Sequence, residues 1–230
     1  MFSTNKITDI FFDLDHTLWD FDVNSELAFE TILKKDHPTI EITDFIEKYA
    51  PINQACWKLY QYDKITHAEL RYNRLKHTFD ALEYFVSDAQ IESIAHNYIQ
   101  LLPENNRLFD GTIEVLEYLE KKYTLHIITN GFADVQYKKI SNSNIAGFFK
   151  TITNSEMAGV KKPNPVIFEY ALNAAQANKE SSIMIGDCLE ADVQGALDAG
   201  LDAIFFNDKK IKVGQDIKQV THLLELKKYL

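Results

Sequence analysis

The chemistry of this chain concentrates in four short clusters. Asp13-Leu14-Asp15-His16-Thr17 follows an apolar run at 7–14, and Thr129-Asn130-Gly131 follows another at 124–129. Lys161-Lys162-Pro163 comes a short loop after a third run, and Gly186-Asp187 closes a fourth, with Asp192 five residues further on. In open α/β sheets, ligands bind beyond the carboxyl ends of the strands, so clusters at four strand ends can share one crevice. The residue types suit a phosphate ester. Asp13 can attack phosphorus and form an aspartyl-phosphate. Asp15, two residues on, can protonate the leaving alkoxide and then activate water. Both the phosphoryl group and the attacking carboxylate are negative, so a divalent cation has to relieve their repulsion. Asp13 and Asp187 offer the hard oxygens that Mg²⁺ takes. Thr129 and the Asn130 backbone N–H can hold phosphate oxygens, and Lys162 adds a point cation.

Taken singly, each cluster has an ordinary explanation. Thr-Asn-Gly is a common turn, and both lysines can be solvated surface charges. Asp187 or Glu190 can complement a helix dipole, and Asp192 can be a helix-surface acid. The functional reading rests on the four occurring together and in this order.

The elements that must position them are legible from periodicity. Short Ile- and Phe-rich runs at 7–14, 124–129, 148–153, 182–187 and 203–207 read as buried parallel strands. Helix-length segments at 112–122, 133–142, 165–177 and 190–199 separate the last four, which predicts an α/β fold with a Rossmann-like, doubly wound parallel sheet. Residues 24–102 contain no convincing strand. Capping boxes at Thr66 with Glu69 and Ser87 with Gln90 open helices there. Ile91, Ile94, Ala95, Tyr98, Ile99 and Leu102 fall on one helical face. Pro51 is expected to kink or divide the helix around Tyr49–Leu59. The domain expectation is an α/β core from 1–17 and 105–230, with a helical cap from 18–104 inserted after the first strand. The stretch 103–111 is the expected return hinge.

Composition narrows the partners. The chain has 34 acidic against 24 basic residues, a formal charge of −10, which disfavours a polyanion. Nucleic acid is therefore not an expected partner. Cys56 and Cys188 are the two cysteines, which excludes a disulfide framework and fits a reducing compartment. No apolar run approaches the ~20 residues of a membrane span. A soluble, cytoplasmic monomer or homodimer without membrane partners is expected.

The motifs carry a resemblance. DLDHT, TNG, KP and GDCLEAD resemble the four motifs of the haloacid dehalogenase superfamily, in that family's order. The resemblance implies a capped Rossmann-like core and phosphoryl transfer through an aspartyl-phosphate, with Mg²⁺ as cofactor. It implies Asp13, the backbone carbonyl of Asp15 and Asp187 as metal ligands, with Thr17 and Asp192 supporting; Asp192 would serve the metal-bound waters or the lysine. TLWDFDVN, SEMAGVKKPNPVIF and GDCLEADVQGALDAG are similar to the YjjG-like pyrimidine 5′-nucleotidases, which implies nucleoside monophosphates as substrates. His16 departs from the pattern, where Asp or Gly is frequent. Trp19 and Phe21, directly after the nucleophile loop, are candidates for stacking on a nucleobase. Alternatives are a sugar-phosphate phosphatase, a phosphosugar mutase sharing every core motif, a 2-haloacid dehalogenase, which the acid at Asp15 disfavours, and a non-catalytic phosphate-binding module. The choice between adjacent lysines is directly testable: Lys162→Ala should weaken inorganic phosphate binding more than Lys161→Ala in a calorimetric titration. The reverse order would move the role to Lys161.

Overall fold

The computed structural model describes residues 7–230. They form two compact units, one running up to Asp20 and resuming at Arg107–Leu230, the other Phe21–Asn106. The first opens with β1 (Asp9–Phe12). The second holds helices α1 (Phe21–Asp36), α2 (Ile42–Gln61), α3 (His67–Ala81) and α4 (Asp88–Leu101). The first unit then continues through α5 (Thr112–Leu119), β2 (Thr124–Thr129), α6 (Ala133–Asn142) and β3 (Phe149–Asn154). It ends with α7 (Ser155–Ala158), α8 (Pro165–Ala175), β4 (Ser182–Gly186), α9 (Gly195–Ala199), β5 (Asp202–Phe206) and β6 (Gln219–Val220).

The strands lie in the order β3-β2-β1-β4-β5-β6, and every neighbouring pair is parallel. The chain steps outward from β1 to β3, then returns to the other side of β1 to place β4. That return is the topological switch at which doubly wound sheets bind ligands. The sixth strand escapes the sequence reading because two residues, Gln219 and Val220, are too few to show a period. Side chains on one face of the sheet, among them Phe11, Ile128, Met184 and Phe205, pack with Ile167, Phe168 and Ala171 of α8 and Ala196 of α9. Alternate residues such as Ile10, Phe12, Ile127 and Ile185 are also fully buried, so both faces are covered and the strands read as unbroken apolar runs.

In the helical unit both capping boxes form: Glu69 N donates to Thr66 Oγ1 at 3.2 Å while Thr66 N donates to Glu69 Oε2 at 2.7 Å, and Ser87 and Gln90 repeat the pattern. Its core is aromatic, with Phe29 stacked on Tyr98 at 4.3 Å and flanked by Phe45 and Tyr49. Pro51 does not divide α2, which runs unbroken from Ile42 to Gln61. The proline is exposed, so water can take the carbonyl one turn back that loses its amide donor. No helix among the described residues is long and apolar enough to cross a membrane.

Phe168 has no exposed surface and joins α8 to the sheet. Phe168→Ala should lower unfolding stability by about 3–5 kcal/mol through the cavity it leaves. The midpoint of a urea unfolding curve measures this, and a loss under about 1 kcal/mol would contradict such tight packing.

Candidate active site

Asp13 is the first residue beyond β1, and its N–H still donates to Ile185 O of β4 at 2.9 Å. The chain then turns tightly. Leu18 N and Trp19 N both reach Leu14 O at 2.9 Å, and His16 N donates to Trp19 O at 2.9 Å. His16 takes the left-handed conformation this demands, at φ 63°. That region favours Gly, Asn and Asp, which accounts for the frequent Asp or Gly at this position, and His is also enriched there. Trp19 is fully buried, with the Lys139 ammonium 4.3 Å from its ring centroid. It is a packing residue of the loop with no ring face open to a nucleobase. Phe21, the first residue of α1, is also buried.

Lys162 sits at the centre of the site. Its ammonium donates to Asp13 Oδ1 at 2.6 Å, Asp192 Oδ1 at 2.6 Å and Ile128 O at 2.8 Å, and its side chain is 2% exposed. Lys161 is partly exposed, so the buried partner of the nucleophile candidate is the second lysine. Asn130 fixes the loop that delivers it. Lys162 N donates to Asn130 Oδ1 at 2.7 Å, and Asn130 Nδ2 returns a bond to Lys162 O at 3.0 Å.

Asp192 is brought in by an irregular helix. Residues Leu189–Gln194 are wound as a π-helix, with Asp192 N and Val193 N both reaching Cys188 O, at 2.9 and 3.2 Å. Such widened turns recur at functional sites because they re-aim side chains. Asp192 Oδ2 also accepts from Cys188 N at 3.0 Å. The close approach requires Gly186, since a Cβ there would lie 2.3 Å from Asp192 Oδ2. Asp192 thus contacts the lysine, and its carboxylate also belongs to the acidic group described next.

Asp13, Asp187 and Asp192 form a group whose potential ligand oxygens all lie within 4.8 Å of one another. Three carboxylates against the one Lys162 ammonium leave two negative charges when all are ionised. Burial raises the Asp13 carboxyl to about 7, opposed by Lys162 and reinforced by Asp192. Asp187 is also held well above the ordinary carboxylate range, by burial and then by Asp13 and Asp192. Burial alone would lower Lys162, but the two carboxylates outweigh it and keep it protonated above the usual lysine range. Hard oxygens with uncompensated negative charge fit a small divalent cation. Thr17, fully buried, reaches Asp187 Oδ1 with its hydroxyl at 3.4 Å.

Thr129 and Asp15 share a partner that sequence reading did not single out. Gln136 Nε2 donates to Thr129 Oγ1 at 2.7 Å and to Asp15 Oδ2 at 2.9 Å. Thr129 Oγ1 also accepts from Gly131 N at 3.1 Å. With both lone pairs taken, the hydroxyl keeps its proton to donate. Lys139 Nζ donates to Asp15 Oδ1 at 2.6 Å. Gln136 and Lys139 are three residues apart on α6, directly after the Thr-Asn-Gly turn; their spacing on one face was the available signal.

Known proteins agree with this geometry. Residues 9–200 match the model of the haloacid dehalogenase-like hydrolases, and the chain belongs to that family. Pyrimidine 5′-nucleotidase PynA of Streptococcus pneumoniae is 32% identical over 200 residues, covering 86% of this chain and 83% of PynA. Pyrimidine 5′-nucleotidase YjjG of Escherichia coli is 29% identical over 199 residues, covering 86% and 85%. The magnesium-bound crystal structure of the HAD-hydrolase YfnB of Bacillus subtilis superposes with a TM-score of 0.88 at 28% identity, over 98% of this chain and 99% of that one.

The acidic cluster makes a pH prediction. A carboxyl raised from 3.8 to about 7 holds more protons folded than unfolded between those values, so its contribution to stability falls as pH rises through that window. In metal-free solution, Asp13→Asn should therefore gain stability relative to the unsubstituted protein between pH 4.5 and 7.5. Urea unfolding at both pH values checks this, and a constant or declining difference would refute the buried-acid assignment.

Proposed function

We propose that this hydrolase is a Mg²⁺-dependent phosphomonoesterase that acts on small phosphate esters, pyrimidine nucleoside 5′-monophosphates foremost, through an aspartyl-phosphate at Asp13. The carrying observation is the Asp13–Lys162–Asp192 ion pair network at the end of β1, with Asp15 two residues beyond it. The nucleotide preference rests on the names of PynA and YjjG and on the extent of the similarity. The helical unit Phe21–Asn106 is read as the cap that selects the leaving group.

Asp13, Asp187 and the backbone carbonyl of Asp15 would hold Mg²⁺. The cation, when bound, supplies charge neutralisation between the carboxylates and the phosphoryl oxygens. Lys162 stabilises the carboxylate form of Asp13, the form that attacks, and its fixed ammonium faces the charge that develops on the phosphoryl group. The Thr129 hydroxyl, left with only its proton to offer, donates to a phosphoryl oxygen, and the Asn130 N–H donates to another. Attack by the Asp13 carboxylate on phosphorus breaks the ester P–O bond, and the leaving alkoxide takes a proton from Asp15. Asp15 then takes a proton from water as that water attacks phosphorus. Cleavage of the Asp13–phosphorus bond releases inorganic phosphate and restores both side chains.

Phosphate release from a panel of nucleoside monophosphates and sugar phosphates, with Mg²⁺ and with chelator, tests the proposal. Release should require the metal, peak on pyrimidine monophosphates, and fall at least about a thousandfold in Asp13→Asn. A peak on sugar phosphates would discard the nucleotidase reading while keeping the chemistry. Metal-independent turnover, or an active Asp13→Asn protein, would overturn the mechanism.

A further inference from the structure

We infer that Gln136 and Lys139 of α6 are positioning residues that clamp Asp15 as the base for the second half of the reaction. The inference rests on the proposed two-step phosphatase mechanism and assigns to these two side chains a role that the four motifs do not include.

The clamp has two points. Lys139 Nζ takes Asp15 Oδ1 at 2.6 Å and Gln136 Nε2 takes Oδ2 at 2.9 Å, so the two carboxylate oxygens are held by donors from one helical face. Two bonds to one planar group fix its rotation as well as its place, which a single ion pair does not. Both donors are themselves buried. Lys139 is 2% exposed, with its ammonium over the buried Trp19 ring, and Gln136 is 1% exposed. The Gln136 amide orientation follows from chemistry, because the Asp15 carboxylate it faces can only accept.

The surroundings of Gln136 are built for these contacts. The glycine of the Thr-Asn-Gly turn leaves room for the glutamine: a Cβ on Gly131 would lie 2.4 Å from the Gln136 amide carbon. The same amide also holds Thr129 Oγ1, so one side chain ties the phosphate-binding hydroxyl to the carboxylate that activates water.

With both oxygens held, the Asp15 carboxyl keeps one place and one rotation from which to take a proton from water as the phosphoryl–Asp13 bond is broken. Loss of the clamp should slow that step and spare the phosphorylation of Asp13. p-Nitrophenyl phosphate isolates the effect, because its leaving group departs with little help from an acid.

The experiment is stopped-flow and steady-state kinetics of Lys139→Met and Gln136→Met with p-nitrophenyl phosphate and Mg²⁺, with Lys139→Arg as the conservative variant. Each Met variant should show a burst of about one p-nitrophenol per enzyme, then a kcat lower by about 10- to 100-fold, as misplaced catalytic groups cause. Its kcat/KM should stay within about threefold, so KM falls together with kcat; Lys139→Arg should recover part of the rate. A structural defect would instead lower kcat and kcat/KM together, and that result, or unchanged kinetics in both Met variants, would overturn the clamp. If one variant fails to fold, the other decides. Mass spectrometry of acid-quenched unsubstituted protein separates the two levels. A phosphorylated Asp13 peptide with unaltered Met variants removes only the clamp, whereas no covalent adduct removes the phosphatase mechanism and the clamp with it.

Discussion

The buried ammonium of Lys162 has to be neutralised, and much of the site follows from that constraint. Lys162 lies where water cannot solvate it, so its three donors must all find acceptors. They find Asp13 at the end of β1, Ile128 O in β2 and Asp192 in the π-helical turn after β4. One side chain thereby joins the carboxyl ends of three adjacent strands. Removing one partner from a buried pair of this kind typically costs about 3–5 kcal/mol, because the other charge is left uncompensated. The reciprocal Asn130–Lys162 bonds and the absent Cβ at Gly186 are the backbone conditions for that meeting.

The neutralisation is incomplete. Asp187 adds a third carboxylate to the group, and burial first, then the neighbouring Asp13 and Asp192, hold its carboxyl well above the ordinary range. Hard oxygens that keep net negative charge around one ammonium fit a small divalent cation.

Asp13 and Asp15 have different surroundings. Asp13 is buried against Lys162 and two further acids, whereas Asp15 is partly exposed and held by Lys139 and Gln136. A pair of carboxylates two residues apart in sequence is thus separated into unlike environments by the tight turn at His16, which sends one back toward β4 and the other toward α6. Gln136 ties Asp15 to the threonine at the end of β2.

Sequence alone determined which residues can react and where along the chain they sit. Apolar runs that end in acids, Thr-Asn-Gly or Gly-Asp mark strands by their burial and sites by their last residue, because a parallel strand buried on both faces leaves its polar groups at its end. The capping boxes of α3 and α4 were equally legible, being local hydrogen-bond patterns within four residues. Tertiary structure decided what periodicity cannot carry. It chose Lys162 over Lys161 by burying one of two neighbours, and it turned Asp192 inward through a π-helical turn. It buried Trp19 beneath Lys139, added β6 as a two-residue edge paired to β5, and kept α2 continuous through Pro51. It also recruited Gln136 and Lys139, ordinary polar residues of an amphipathic helix until α6 sets them beside Asp15. The physical reason is the same in each case. Local hydrogen bonding and hydrophobic period are written in neighbouring residues, whereas the charge a side chain must neutralise is set by residues up to 149 positions away.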